Sequence, residues 1–168
     1  IIIIFISLGC FFVMNEKEQG LVLQFGEPKR VVQDSGLHFK IPMIQNVVRY
    51  DRKIVEYNLP VKEVIAVDKK RMLVDSFARF QITDPLEFYK TVGNEVNVRN
   101  RLNSNVISSL RRVVGRVTLD ELLSAERSNI MDRIKIEVND EAKRFGIEVV
   151  DVRIRRADLP EANSQAIF

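Results

Sequence analysis

An α+β fold behind an apolar N-terminal anchor is what this 168-residue sequence predicts, and three observations predict it. Residues 1–14 are apolar and carry no charge. Residues 15–83 break into short, β-branched runs with turn signals spaced by roughly 8–12 residues, the rhythm of an antiparallel sheet. Residues 84–157 place apolar side chains at helical spacing and close on one more strand. Strands first and helices second, each needing a partner for its apolar face, describe two subdomains of an α+β protein.

The anchor is read from Ile1, Ile4, Phe5, Leu8, Phe11 and Phe12, within an opening run that lacks an initial methionine. A spanning helix needs ~20 apolar residues, and this run is shorter. It fits the distal part of a transmembrane helix whose start lies upstream; the h-region of a signal peptide and a buried core helix are the competing readings. Asn15-Glu16-Lys17-Glu18-Gln19 marks the polar edge where the chain is expected to leave the bilayer. Its charges are mixed, so they do not fix orientation. Cys10 is the only cysteine, which excludes an intramolecular disulfide. Leu8-Gly9-Cys10 is a poor match to a lipoprotein cleavage box, because Ser7 precedes it and apolar residues follow.

Strands are expected at 20–25, 30–33, 37–41, 47–51 and 53–57, and a hairpin joins 61–67 to 72–82 around Asp68-Lys69-Lys70-Arg71. In the second arm Val74, Ser76, Ala78, Phe80 and Ile82 share one face, small and apolar, and belong inward. Asp84-Pro85 combines an N-cap with a proline at the first helical position, so a short helix starts there. Val98, Leu102, Val106, Leu110, Val113 and Val114 line one face of a helix from Glu95 to Gly115. Thr118 and Glu121 form a capping-box pattern. Ile130, Ile134, Val138, Ala142 and Phe145 define a helix over 126–145, with Gly146 as its left-handed cap. A strand over 147–154 follows, and Pro160 begins a further helix. The divisions are therefore an anchor at 1–14, a strand-rich subdomain at 15–83, a helix-rich subdomain at 84–157 and the start of a helix at 158–168, with a hinge near Thr83-Asp84.

Nothing in the sequence assembles a catalytic constellation, and neither an enzyme activity nor a cofactor is expected. His38 is the single histidine and has no nucleophile beside it. A metal site would need a second His or Cys nearby. The basic clusters Lys69-Lys70-Arg71, Arg111-Arg112 with Arg116, and Arg153-Arg155-Arg156 lack the interleaved aromatics of a nucleic-acid surface, so no nucleic acid is expected as a partner. Arg111, Arg112, Arg116, Arg153 and Arg155 are candidate subunit contacts, with Glu126 and Asp151 as complements. In Gly36-Leu37-His38-Phe39-Lys40-Ile41-Pro42-Met43-Ile44, the apolar Leu37, Phe39, Ile41 and Met43 are candidate membrane-surface contacts. Plugging the end of the sheet is the alternative role for them.

Two segments resemble the start of a band 7 or SPFH domain, the stomatin, prohibitin, flotillin and HflK/C family: Gln19-Gly20-Leu21-Val22-Leu23-Gln24-Phe25-Gly26 and Ser35-Gly36-Leu37-His38-Phe39-Lys40-Ile41-Pro42. Arg144-Phe145-Gly146-Ile147-Glu148-Val149-Val150-Asp151-Val152-Arg153-Ile154, followed by Asp158-Leu159-Pro160, resembles its end. Lys69-Lys70-Arg71-Met72-Leu73-Val74-Asp75-Ser76-Phe77 and Ala162-Asn163-Ser164-Gln165-Ala166-Ile167 are most similar to the HflK/C branch; Glu161-Ala162 departs from it where a second acidic residue is expected. The resemblance implies a single-pass protein of the bacterial inner membrane whose main domain is periplasmic. It implies a large hetero-oligomer with an HflK-like paralogue, closed by long helices into a cage around an FtsH-like AAA+ membrane protease and modulating its access to substrates. Membrane lipid is an implied contact. A stomatin-like scaffold that organises lipid microdomains without a dedicated protease is the other function the family offers.

Overall fold

The computed structural model describes residues 10–158. The order of elements is β1 (Phe11–Met14), β2 (Glu18–Gln24), β3 (Glu27–Val32), β4 (Gly36–Phe39), β5 (Gln45–Asp51), β6 (Val55–Asn58), β7 (Lys62–Ile65), β8 (Arg71–Ile82), α1 (Pro85–Thr91), α2 (Glu95–Val114), α3 (Leu119–Leu123), α4 (Arg127–Ala142) and β9 (Ile147–Asp158), with a 3-10 turn at Lys143–Phe145. The expected α+β class is observed.

The first five strands make two small layers. β2 pairs antiparallel with β3 on one side and β5 on the other. β1 pairs antiparallel with β4 as a separate two-stranded sheet. Phe12 and Met14 of that sheet pack on Val22, Val32 and Val47 of the three-stranded one. Gly20 lies at this contact, where a Cβ would meet the Met14 Cε at 2.3 Å and the flexible methionine would have to shift. β2 is therefore buried along most of its length, its other side lying toward α1.

The second half is built on β8. Its register puts β9 along one side and β6 and β7 along the other, β6 opposite Phe77–Phe80 and β7 opposite Arg71–Val74. Met72, Val74, Ser76, Ala78 and Phe80 point to the buried face, as period two requires, and Ile82 is half-buried at the strand's end. Leu102, Val106 and Leu110 of α2 and Ile130, Ile134 and Val138 of α4 share a core with that face. The strand predicted to end the first subdomain is thus the central strand beneath the helices, and the sheets divide between β5 and β6.

Helix ends follow their caps. Asp84 accepts from the Leu86 and Glu87 amides with Pro85 at the first position. Thr118 and Glu121 complete a reciprocal capping box. The expected 126–145 helix stops at Ala142, and the 20-residue α2 is longer than the 16-residue α4. Gly146 takes φ +69°, and a Cβ there would meet the Asp84 carbonyl at 2.2 Å. Its carbonyl accepts from the Thr83 and Asp84 amides at 3.0 and 3.1 Å. The expected hinge is therefore pinned against β9.

One expectation is corrected. The anchor helix was to run through Met14, but Phe11–Met14 is strand β1. Phe12 and Met14 turn inward into a core, and Phe11 and Val13 turn outward. Four apolar residues in a row have no distinguishing period, so helix and strand cannot be told apart there by pattern. Ile1, Ile4, Phe5 and Leu8, and the helix expected from Pro160, lie outside the described residues. Among the described residues no helix is long and apolar enough to cross a membrane.

Candidate membrane-facing surface and charged faces

The outward side of the β1–β4 sheet is apolar. Phe11 opposes Phe39 and Val13 opposes Leu37, and all four are more than half exposed. The two phenyl rings meet edge to face at 6.0 Å. In a solvated two-stranded sheet this side would carry polar residues.

The apolar side continues past β4. Ile41 and Ile44 are exposed, and Met43 is 98% exposed. Met43 also has φ +69°, and Phe25, in the β2–β3 turn, has φ +52° and is 82% exposed. Bulky non-glycine residues held at positive φ are uncommon, and such strain clusters at ligand clamps and other functional sites. The two tips are neighbours, because the Phe25 amide donates to the Ile44 carbonyl at 3.4 Å. Both are braced. The Tyr89 hydroxyl of α1 donates to the Gly26 carbonyl at 3.2 Å. The Ile41 amide donates to Gln45 Oε1, and the Gln45 amide to the Ile41 carbonyl, both at 2.9 Å. Cys10 sits at this same end, its carbonyl accepting from the Lys40 amide at 2.7 Å. The apolar segment that precedes Cys10 in sequence therefore joins the domain beside the Phe11–Phe39 pair.

Leu37, Phe39, Ile41 and Met43 were singled out in the sequence; Leu37 and Phe39 share the outward side of the β1–β4 sheet with Phe11 and Val13, and Ile41 and Met43 are exposed in the segment that follows β4. Phe25 was missed. Its signal was an aromatic residue directly before Gly26 in a turn, a place where solvent-exposed polar residues are usual.

The arginines divide into two groups. Arg111 and Arg112 lie in the last turn of α2, and Arg116 follows it. Arg112 donates to Glu137 of α4 at 3.0 Å and ties the two helices. Arg111 and Arg116 make no ion pair among the described residues. Arg153 and Arg155 are on β9. Arg153 donates to Asp151 at 2.8 Å, and this hydrogen bond, then the carboxylate's charge, raises the guanidinium further above its ordinary range. Arg155 pairs with Glu56 at 3.6 Å and reaches Asn58 at 2.9 Å. The guanidinium groups of Arg79 and Arg155 both lie over the Phe77 ring, at 5.5 and 5.3 Å. The outer face of the large sheet is thus polar and laced by ion pairs. Of the two acidic complements, Asp151 is paired with Arg153 within β9, and Glu126 lines a cleft beside α4 with Arg116 and Arg133.

His38 lies on the inner side of the β1–β4 sheet, its Nε2 2.8 Å from the Asp34 carbonyl and its ring 5.6 Å from that of Phe12. Among the described residues its side chain is hydrogen-bonded to no acid or nucleophile side chain. No group of three or more His, Cys, Asp or Glu side chains is placed to hold a metal ion among the described residues. At Tyr50, burial first and the neighbouring Tyr89 second push the hydroxyl above the ordinary tyrosine range. That hydroxyl is buried without a hydrogen-bond partner among the described residues.

A small strand layer with an apolar outer face is thus joined through α1 to a helix-covered sheet. Residues 12–168 match the SPFH domain / Band 7 family, and the chain belongs to that family. It is 31% identical to Protein HflC of Haemophilus influenzae over 93% of this chain and 57% of that protein. It is 28% identical to the Modulator of FtsH protease HflC of Escherichia coli K12, over the whole of this chain and 64% of that protein. Stomatin-1 of Caenorhabditis elegans is 28% identical over 94% of this chain and 47% of its own length. The chain thus spans less than two thirds of each of these relatives.

Proposed function

We propose that this chain is the membrane-apposed domain of a non-enzymatic, HflC-like scaffold that modulates an FtsH-like membrane protease. The carrying observation is the outward apolar side of Phe11, Val13, Leu37 and Phe39, with Ile41 and Met43 exposed in the adjoining segment. It lies at the end where the apolar N-terminal segment enters. Seated in the interfacial layer of a bilayer, these side chains leave water, at about 1 kcal/mol or more for each one that was half exposed. The segment at 1–9 then acts as the rest of a single-pass anchor, in the inner membrane with the domain on the periplasmic side. The polar face of β8 and β9 and the α2 terminus are left for neighbours, among them an HflK-like paralogue in a large hetero-oligomer. The mechanism is steric: domains held at the surface side by side restrict lateral entry to the protease.

Residues 1–168 contain no tryptophan, so a Phe39→Trp variant adds a single reporter to this domain. In the full-length protein reconstituted into bilayers, lipids with a shallow spin label should quench its fluorescence, while a Leu123→Trp variant on α3 should stay unquenched. Equal quenching at both positions, or none at Phe39→Trp, defeats the membrane-facing reading.

The stomatin-like scaffold is the second reading, favoured by the similarity to Stomatin-1. Mild detergent extraction of the full-length protein separates the two. Co-purification of an FtsH-like protease with an HflK-like paralogue supports the first; a homo-oligomer with lipid alone supports the second.

A further inference from the structure

We propose that the cleft between β3 and β4 binds the phosphate headgroup of an anionic phospholipid; this rests on the membrane-facing reading above. The cleft holds about 220 Å³ and is lined by Val22, Lys29, Arg30, Phe39, Ile41 and Gln45. Phe39 also belongs to the outward apolar side, and Ile41 is exposed in the adjoining segment. With that side seated in the hydrocarbon boundary, the cleft opens at the depth of the headgroups.

Its charged groups are both cations. One Arg30 nitrogen donates to the Phe39 carbonyl at 2.6 Å, which fixes the guanidinium at the rim of the apolar side. A guanidinium has five N–H donors in a rigid fork, and the remaining ones suit the paired oxygens of a phosphate. Lys29 is held only by an exposed pair with Glu27 at 3.5 Å. Such pairs are weak, so the ammonium is released cheaply to a better partner. Gln45 uses its Oε1 to accept from the Ile41 amide, which leaves its NH2 as a further donor.

Charge balance sets this cleft apart. Two cations line it and no carboxylate does. The cleft between the strand layers and α2 carries Glu18, Asp51 and Glu95 beside Arg49 and Lys53. The one beside β9 carries Glu56, Asp132 and Asp151 beside Arg79, Lys135 and Arg153. In those, an anion would face carboxylates. The β3–β4 cleft is lined by two cations, Gln45 and apolar side chains, and the carboxylate of Glu27 reaches only the exposed Lys29 ammonium.

The test uses the full-length protein in nanodiscs of phosphatidylcholine with a minor fraction of phosphatidylglycerol, and native mass spectrometry of the lipid retained after release. Wild type is expected to enrich phosphatidylglycerol. A basic side chain near an anionic surface contributes roughly fivefold to the preference. Lys29→Gln should therefore lower it by about that factor, and Lys29→Gln with Arg30→Gln should abolish it. Lys69→Gln with Lys70→Gln, on the β7–β8 turn, should leave it unchanged. Lys29→Gln removes only an exposed side chain, so its result is independent of folding. Unchanged enrichment in the Lys29→Gln and double variants overturns the proposal. So does saturable binding of inorganic phosphate with no preference among lipids, which would make the cleft a phosphate site and not a lipid one. Retained quenching of the Phe39→Trp reporter without phosphatidylglycerol enrichment removes the headgroup site alone. Loss of that quenching removes the membrane-facing reading and this site together.

Discussion

The two halves of the molecule arrange their exposed apolar side chains differently. In the β6–β9 half a large core encloses Phe80, Leu102, Leu110, Ile134 and Val152, the outer sheet face carries Arg79, Arg153, Arg155 and Glu56, and exposed apolar residues such as Ile65, Val96, Leu123 and Ile136 are spread over separate elements. In the β1–β5 half a small core of Phe12, Met14, Val22 and Val32 is enclosed while a comparable apolar set is left outside. The β6–β9 half therefore holds the large packed core, and the outer surface of the small β1–β4 layer holds a capacity for contact. Isolated exposed apolar residues are ordinary on protein surfaces; a side chain set that shares one sheet face and its adjoining tips marks an interaction surface.

The largest break in this contrast is a cavity in the helix-covered core. Phe80→Ala should cost about 4 kcal/mol, the range for a buried aromatic cut to alanine in a core that cannot collapse. Denaturant unfolding followed by circular dichroism measures it. A loss under ~1 kcal/mol would mean that β8 is not the centre of a packed core. Next comes Gly146→Ala, which forces a Cβ onto the Asp84 carbonyl and the Phe88 amide. About 3 kcal/mol is expected from left-handed strain and displaced backbone. The same measurement checks it, and a neutral result would show that the β9–α1 junction is slack.

The opposite outcome is expected on the other side. Replacing Leu37, Phe39 and Met43 together by serine should change unfolding free energy by no more than ~0.5 kcal/mol per site, because none of the three is in the enclosed core. The quenching of a tryptophan reporter at Phe25 should fall sharply in the same variant. A loss of stability as large as that of Phe80→Ala would show that the side chains plug the sheet, the alternative role that the sequence left open.

How far the sequence reached follows from the same contrast. The β8 face, the α2 stripe, the Asp84-Pro85 start, the Thr118 box and Gly146 were legible because each depends on local periodicity or on a cap within a few residues. The β1 strand was not. Its pairing with β4 joins Met14 to Gly36 across the whole β2–β3 hairpin, and an apolar run reads alike in lipid, in a core helix or in a half-covered strand. The grouping of β8 with β9 was also invisible, since that register links residues more than 60 positions apart. The candidate membrane residues were named individually, but their common face and the exposed tip at Phe25 depend on those long-range pairings.

Tyr50 gives a smaller effect with a distinct pH signature. Its buried hydroxyl lacks a partner, and its ring packs edge to face on Phe88 at 5.1 Å. Tyr50→Phe keeps the ring contact and removes the orphaned group, so a gain of up to ~1 kcal/mol is expected. Because the folded-state pKa is raised, the folded state holds its proton more tightly than the unfolded one. Stability from this group is then fully present below the ordinary tyrosine value of about 10 and declines as pH rises above it. Tyr50→Phe should flatten that alkaline decline. A decline equally steep in the variant would assign it to other groups.

The smallest effect on stability separates the two arginines at the end of α2. Arg112 bridges to Glu137 with both side chains partly exposed, and Arg112→Ala should cost ~0.5 kcal/mol, the ordinary worth of such a pair. Arg111 makes no ion pair among the described residues, and Arg111→Ala should leave unfolding unchanged. If this face docks a neighbouring subunit, reversing both charges to glutamate should abolish the large assembly in electron microscopy while the domain remains folded. Intact particles from the doubly reversed protein would move the subunit contact away from α2, leaving Arg153 and Arg155 on the polar sheet face as the charged surface still available for it. The apolar side would then be tested on its own, because the Phe39→Trp reporter reads lipid whether or not the neighbours assemble.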